Sequence, residues 1–157
     1  MKLNDLANPF VFISTGFGIG MIPFAPGTFG SGLGLCLYIF FAHFYIPVLI
    51  EYVVILALFL IAWFAVDQTL KIHGEADHSE IVIDEIIGMI IVATILPPDP
   101  YWAIAAFLIF RFFDIAKPYP VSIIDRNYKN ALGVILDDIV ASIYSIILIL
   151  IIMRLLG

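Results

Sequence analysis

A polar segment in the middle of the chain carries the residue types that perform proton and metal chemistry. Residues 72–89, with the sequence IHGEADHSEIVIDEIIGM, contain five carboxylates and two histidines. On a helix, Glu80 and Asp84 would share one face because they lie four residues apart. Asp84 and Glu85 directly precede an apolar run, and ionised groups are expensive at a membrane boundary. Their position there indicates a functional site.

A second polar region, residues 111–138, supplies further carboxylates together with bases. Like charges near an apolar boundary raise one another's pKa, and a divalent cation relieves that repulsion. Carboxylate oxygens in the absence of cysteine ligands favour Mg²⁺ or Mn²⁺ over zinc. Arginine and lysine side chains bind phosphate oxygens. The acidic candidates are Asp77, Asp84, Glu85, Asp114, Asp125, Asp137 and Asp138, and the basic ones are Arg111, Lys117 and Arg126. This combination at a lipid boundary favours a phosphorylated lipid as the ligand.

The amino-acid composition indicates the class of protein that carries these residues. The chain has 157 residues, of which 63% are hydrophobic and 13% charged, with a mean hydropathy of +1.12. Soluble domains are about 45–50% apolar and about 25% charged. We therefore predict a single membrane domain over residues 1–157. The net charge of -6 argues against nucleic acid as a partner.

Five apolar runs predict an all-α integral membrane protein, a bundle of about five hydrophobic helices. The runs cover residues 33–50, 52–66, 86–96, 101–110 and 139–153. A full crossing needs about 20 residues, so some helices are expected to be incomplete spans. The third run reaches that length only if its helix begins near Ser79. The fifth run starts directly after the Asp137–Asp138 pair.

The basic residues predict the orientation of the bundle. With five crossings and the amino terminus inside, Arg154 alone falls outside and six bases fall inside. The inner bases are Lys2, Lys71, Arg111, Lys117, Arg126 and Lys129. Cytoplasmic loops carry such an excess of Lys and Arg. The same threading gathers the carboxylate-rich segments on the cytoplasmic face.

A glycine- and proline-rich loop precedes the first apolar run. Pro26-Gly27 suits the centre of a type II turn, and Thr28 or Ser31 is a candidate cap for the following helix. The loop has no GK[ST], so it is not a nucleotide P-loop, although its amides could still help to cradle a phosphate.

Structural interpretations remain open beside the chemical ones. Arg111 and Asp114, three residues apart, could form a simple helical ion pair. Asp137 and Asp138 could merely favour a helix dipole. His78 could be a solvated turn residue.

Four segments in order are similar to one known family. They are GFGIGMIPFAPGTFGS, HGEADHSEIVIDEIIGM, FRFFDIAKPYP and DRNYKNALGVILDD. Together they cover nearly the whole chain and resemble phosphatidylglycerophosphatase A. The resemblance implies an integral, multi-pass membrane phosphatase of the bacterial inner membrane that requires Mg²⁺. Its substrate would be phosphatidylglycerophosphate, converted to phosphatidylglycerol on the cytoplasmic side.

The resemblance also implies which residues matter. The family's acidic motif maps to Asp77, His78, Asp84 and Glu85, its second motif to Arg111, Asp114 and Lys117, and its third to Asp125, Arg126, Gly133, Asp137 and Asp138. One departure concerns a turn: the family usually has Gly-Gly where this chain has Asn130 and Ala131. That turn should be less permissive here.

We assign roles as hypotheses. Asp84, Glu85, Asp137 and Asp138 would bind Mg²⁺ directly or through water, and Arg111, Lys117 and Arg126 would hold the phosphate. Asp125 or Asp84 would position or deprotonate the attacking water. Asp77 and His78 would assist protonation of the departing glycerol oxygen.

Three alternatives remain open at this level. A Mg²⁺-dependent phosphatase acting on another phospholipid, such as phosphatidic acid, would share the site. A small ion transporter would need carboxylates facing one another deep in the bundle. A structural membrane subunit would need neither metal nor substrate.

Overall fold

In the computed structural model, the described residues form seven α-helices that make up most of the chain. The structure describes residues 1–74, 78–97, 99–119, 121–128 and 130–156, and the side chains of residues 124–126 lie outside this description. The helices are α1 (Pro9–Ser14), α2 (Pro26–His43), α3 (Val48–His73), α4 (Ile83–Thr94), α5 (Pro100–Ala116), α6 (Val121–Asn127) and α7 (Ala131–Leu156). The described residues contain no strand, so the predicted all-α class is confirmed.

Among the described residues, two helices are long and apolar enough to cross a bilayer. α3 and α7 have 26 residues each and a mean hydropathy of 2.6. At 1.5 Å per residue each is about 39 Å long, which exceeds the roughly 30 Å of hydrocarbon in a bilayer. In the apolar part of each helix only 17% and 22% of the residues are buried, as expected for helices that face lipid.

α4 occupies the centre of the bundle and contacts α2, α3, α5 and α7. Its apolar side chains, including Ile87, Met89 and Ile90, are almost completely buried. Two glycines of α2 allow its close approach to α4. A Cβ on Gly34 would lie 2.5 Å from the Ile86 carbonyl oxygen, and one on Gly30 would lie 2.9 Å from Val82 Cβ.

The start of α4 differs from the expectation. The helix begins at Ile83 rather than near Ser79, and its 12 residues extend only about 18 Å, so α4 does not span. Glu80 lies before the helix and pairs with the amino terminus of Met1. The proposed shared helical face of Glu80 and Asp84 is therefore wrong, because only Asp84 belongs to a helix.

The start of α7 lies well before the fifth apolar run. Because the helix begins at Ala131, Asp137 and Asp138 fall in its second and third turns. A helix dipole acts only within the first turn, so it does not explain this pair. Asn130 caps α7, since its Oδ1 accepts a hydrogen bond of 2.9 Å from the Gly133 N–H. Asn130 thus supplies a stabilising contact where the family usually has glycine.

The glycine- and proline-rich loop ends differently from the sequence prediction. Pro26 and Gly27 are the first residues of α2 rather than the centre of a type II turn. The reversal occurs at Ala25, whose backbone is left-handed (φ 47°, ψ 52°). Neither Thr28 nor Ser31 caps α2; the Ser31 hydroxyl instead donates to the Gly27 carbonyl at 2.9 Å. As a result, Gly27 reaches the polar end of α4.

Candidate active site

One polar pocket of about 260 Å³ lies where the starts of α2, α4 and α7 meet the end of α5. Five carboxylates and two bases line it, so full ionisation of these seven groups would give a net charge of −3. The carboxylates are Asp84, Glu85, Asp114, Asp137 and Asp138, and the bases are Arg111 and Lys117. The predicted polar segments therefore converge at one end of the bundle, rather than forming a path of carboxylates through it.

Three of the carboxylates form a tight cluster. Asp84 and Glu85, in the first turn of α4, meet Asp138 of α7, and one oxygen from each lies within 4.8 Å of the others. Asp84 and Asp138 are buried, and Glu85 Oε2 is a buried oxygen with no hydrogen-bond partner among the described residues. Converging hard oxygen ligands, one of them unsatisfied, suit Mg²⁺, which takes one or two carboxylates and retains waters for phosphate.

The electrostatics of the first turn of α4 explain why this cluster suits a cation. Burial raises the pKa of Asp84 well above its usual value, and the neighbouring Glu85 carboxylate raises it further. Burial, reinforced by Asp138 and opposed by Arg111, raises the pKa of Glu85 to about 8. Buried carboxylates this close must share protons or bind a cation, because several ionised groups repel one another.

Arg111 forms the basic wall of the pocket. Its Nη1 donates to the Asp114 carboxylate, lies 3.8 Å from Glu85 Oε1, and donates weakly to Ser31 Oγ at 3.4 Å. Its buried Nε has no partner within the described part of the chain. The helical ion pair allowed by the sequence spacing is present, and the same guanidinium faces the pocket.

Lys117 is held in an unusual backbone conformation. It ends α5 with φ 42° and ψ 58°, in the left-handed region, and its Nζ lies 2.7 Å from Asp137 Oδ2. The left-handed conformation costs a non-glycine residue about 1–2 kcal/mol. Ala25, on the opposite wall, has the same strain. Such outliers concentrate at functional sites, where the surrounding structure stabilises them.

The structure describes the other predicted site residues only in part. His78 lines the pocket, and its Nε2 lies 3.1 Å from the Gly74 carbonyl oxygen in an exposed local contact, so the solvated-turn interpretation stays open. Asp77 lies outside the described residues. Asp125 and Arg126 belong to α6, but their side chains also lie outside the description. The roles assigned to these three residues stay predictions.

The sequence-based site prediction missed several lining residues, among them Gly27 and Tyr128. A Cβ on Gly27 would lie 2.1 Å from Glu85 Oε1 and 3.0 Å from Arg111 Nη1, so α2 approaches the site only through glycine. Tyr128 also lines the pocket, and a Cβ on Gly133 would lie 1.9 Å from its carbonyl oxygen. The sequence feature that could have revealed Gly27 is its position directly after Pro26, the proline that starts α2.

The fold and the site define a helical protein of membrane type, whose described residues gather carboxylates, an arginine and a lysine at one end of an apolar bundle. Residues 12–153 match the family model described as phosphatidylglycerophosphatase A. The chain belongs to the phosphatidylglycerophosphatase A family. The predicted resemblance and phosphatase class are thereby confirmed.

Three relatives each match most of the chain. It is 37% identical over 150 residues to a phosphatidylglycerophosphatase A of Haemophilus influenzae, covering 95% of this chain and 91% of that one. It is 36% identical over 141 residues to that of Escherichia coli, covering 89% and 81%. A protein of Bacteroides thetaiotaomicron named as a putative phosphatidylinositol-3-phosphatase is 38% identical over 144 residues, covering 88% and 90%. No solved structure matches the chain.

Proposed function

We propose that this protein is a Mg²⁺-dependent phosphomonoesterase that converts phosphatidylglycerophosphate and water to phosphatidylglycerol and phosphate. The observation that carries the proposal is the cluster of Asp84, Glu85 and Asp138 beside Arg111 and Lys117 in one pocket. The names of two relatives support the glycerophosphate head group. A third relative is named for an inositol lipid, so the head group needs its own test.

Asp84, Glu85 and Asp138 would hold the cation. When bound, Mg²⁺ would polarise the phosphoryl group and neutralise developing charge. The unsatisfied Glu85 Oε2 is the oxygen best suited to a new ligand, because it gives up no hydrogen bond within the described residues. Asp137, which contacts Lys117 at 2.7 Å, would orient the lysine, in addition to its predicted role at the metal.

Arg111 and Lys117 would bind the terminal phosphate. Both bases approach carboxylates on the pocket wall, which holds their side chains towards the cavity. A guanidinium offers several donors in a fixed plane that matches phosphate oxygens, and an ammonium adds a compact charge. Arg126 would contribute a further cation according to the sequence prediction.

The hydrolysis forms a bond from the water oxygen to phosphorus and breaks the bond from phosphorus to the glycerol oxygen. Asp84 or Asp125 would accept the water proton, and His78, with Asp77, would return a proton to the departing oxygen. Burial raises the pKa of Asp84, which makes its ionised form a stronger base. We place the pocket on the cytoplasmic face of the bacterial inner membrane because the basic loops favour that side.

The test is phosphate release from phosphatidylglycerophosphate in detergent micelles, first with Mg²⁺ and then with EDTA. Phosphatidic acid and phosphatidylinositol 3-phosphate serve as alternative substrates. We expect release that stops with EDTA, returns with Mg²⁺ and is fastest on phosphatidylglycerophosphate. Faster turnover of another lipid would change the assigned substrate, and release unaffected by the chelator would refute the metal requirement.

A matched pair of variants separates the site from a general charge effect. Asp84→Asn removes a buried cluster carboxylate, whereas Asp67→Asn removes an exposed carboxylate that pairs with Lys71 at 2.6 Å. We expect the first variant to lose activity and the second to keep it. Equal activities would show that the cluster is not the catalytic centre.

A further inference from the structure

Three buried residues form a contact layer beneath the carboxylates, where α4, α5 and α7 meet: Gly88, Phe110 and Ser142. A Cβ on Gly88 would lie 2.7 Å from Phe110 Cζ and 3.0 Å from Ser142 Oγ. The Ser142 hydroxyl lies 3.0 Å from the Gly88 carbonyl oxygen and 2.7 Å from the Asp138 carbonyl oxygen, and can donate to either. Within this layer, the Ser142 side chain of α7 therefore contacts the backbone of α4 directly.

The register of the three helices aligns this layer with the site. Asp84 lies four residues before Gly88, and Asp138 lies four residues before Ser142. α5 contributes its end to the pocket whereas α4 and α7 contribute their starts, so α5 runs in the opposite direction. Accordingly, Asp114 lies four residues after Phe110. Each layer residue is thus about one helical turn, roughly 5.4 Å, from a site carboxylate on its own helix.

We propose that the Gly88–Phe110–Ser142 layer sets the spacing of the site carboxylates and thereby makes the site selective for a small divalent cation. The inference rests on the proposed function, because it assumes that the carboxylate cluster binds a metal. Mg²⁺ requires oxygen ligands at about 2.0–2.1 Å in near-octahedral geometry, whereas Ca²⁺ accepts about 2.3–2.6 Å in flexible geometry. Separation of α4 from α7 would therefore weaken Mg²⁺ binding more than Ca²⁺ binding.

A simple packing role for Gly88 makes a different prediction. If the layer only stabilises the bundle, a larger residue there would lower thermal stability but leave the ratio of Mg²⁺ to Ca²⁺ affinity unchanged. The cation affinity ratio is thus the readout that separates positioning from packing, and it does not depend on turnover.

The test measures Mg²⁺ and Ca²⁺ binding by isothermal titration calorimetry on the full-length chain in detergent micelles. We expect Gly88→Ala to weaken Mg²⁺ binding about tenfold or more, as for other groups that orient metal ligands, with a smaller loss for Ca²⁺. Gly32→Ala is the matched control, because a Cβ there would meet nothing within 4 Å. An unchanged affinity ratio in folded Gly88→Ala would overturn the inference.

Two further variants cover the case in which Gly88→Ala does not fold. Ser142→Ala removes the hydroxyl that joins α7 to α4 and should shift the affinity ratio in the same direction by a smaller amount. Gly88→Ala with Phe110→Leu removes the ring atom at 2.7 Å and should recover Mg²⁺ preference. Failure of both effects would refute the inference. If the unaltered protein binds neither cation, the proposed metal requirement fails first, and the inference fails with it.

Discussion

The raised pKa of Glu85 makes pH and Mg²⁺ act in opposite directions on stability. The carboxyl holds its proton to about pH 8 in the folded protein, against an ordinary value of 4.5. Between these values the folded state binds more protons than the unfolded state, so the free energy of unfolding falls as pH rises. From pH 6 to pH 8, Glu85 alone should lower it by about 2 kcal/mol, and Asp84 acts in the same direction.

Mg²⁺ should reverse this trend, because it binds the deprotonated carboxylates. Below pH 8 its apparent affinity should increase up to about tenfold per pH unit for each proton released. The assay is thermal unfolding in detergent micelles at pH 6, 7 and 8, with EDTA or with Mg²⁺. With EDTA the midpoint should fall towards pH 8, and the stabilisation by Mg²⁺ should grow towards pH 8.

Glu85→Gln is the control, since an amide does not titrate. This variant should flatten the pH dependence measured with EDTA. A metal-free midpoint that does not fall from pH 6 to pH 8 in the unaltered protein would show that Glu85 is already ionised in this range, and the argument from burial would be wrong.

Three further substitutions test other parts of the site. Gly27→Ala places a Cβ 2.1 Å from Glu85 Oε1. Because the carboxylate would have to move by about 1 Å, kcat should fall on the order of 100-fold. The control Gly32→Ala should retain full turnover, and equal rates in the two variants would contradict the close contact. Asp84→Asn should reduce phosphate release on the order of 100-fold without lowering the metal-free melting temperature, and full activity would remove Asp84 from the metal site. Asn130→Ala should cost about 1 kcal/mol of stability without changing kcat, and unchanged unfolding would exclude its capping role.

The all-α class and the approximate positions of the hydrophobic helices could be predicted because apolar runs dominate the sequence. Their boundaries could not, because polar residues near a run were treated as loop. α7 begins eight residues before the apolar run at Ile139, since Asn130 caps it and its early carboxylates face a polar pocket. α4 begins later than expected, because Glu80 pairs outside the helix.

The convergence of Asp84, Glu85, Arg111 and Lys117 in one pocket followed from threading the polar segments onto one side. The contribution of Gly27 did not, because a missing side chain has no chemistry of its own. Its importance arises only from the distance between two helices, which is a tertiary property. Sequence alone also could not show that Asp137 contacts Lys117 whereas the adjacent Asp138 joins the acidic cluster.

The length of α7 has a consequence for the kinetics of the reaction. The helix is about 9 Å longer than the hydrocarbon layer, and Asp138 lies seven residues, or about 10 Å, from its start. A helix positioned with its excess length on the polar side would hold Asp138 at the edge of the hydrocarbon layer, close beneath the lipid phosphates. Substrate would then arrive by lateral diffusion with its acyl chains still in the membrane. Turnover should therefore follow the mole fraction of substrate in the lipid or micelle surface, and added inert lipid or detergent should slow it by dilution.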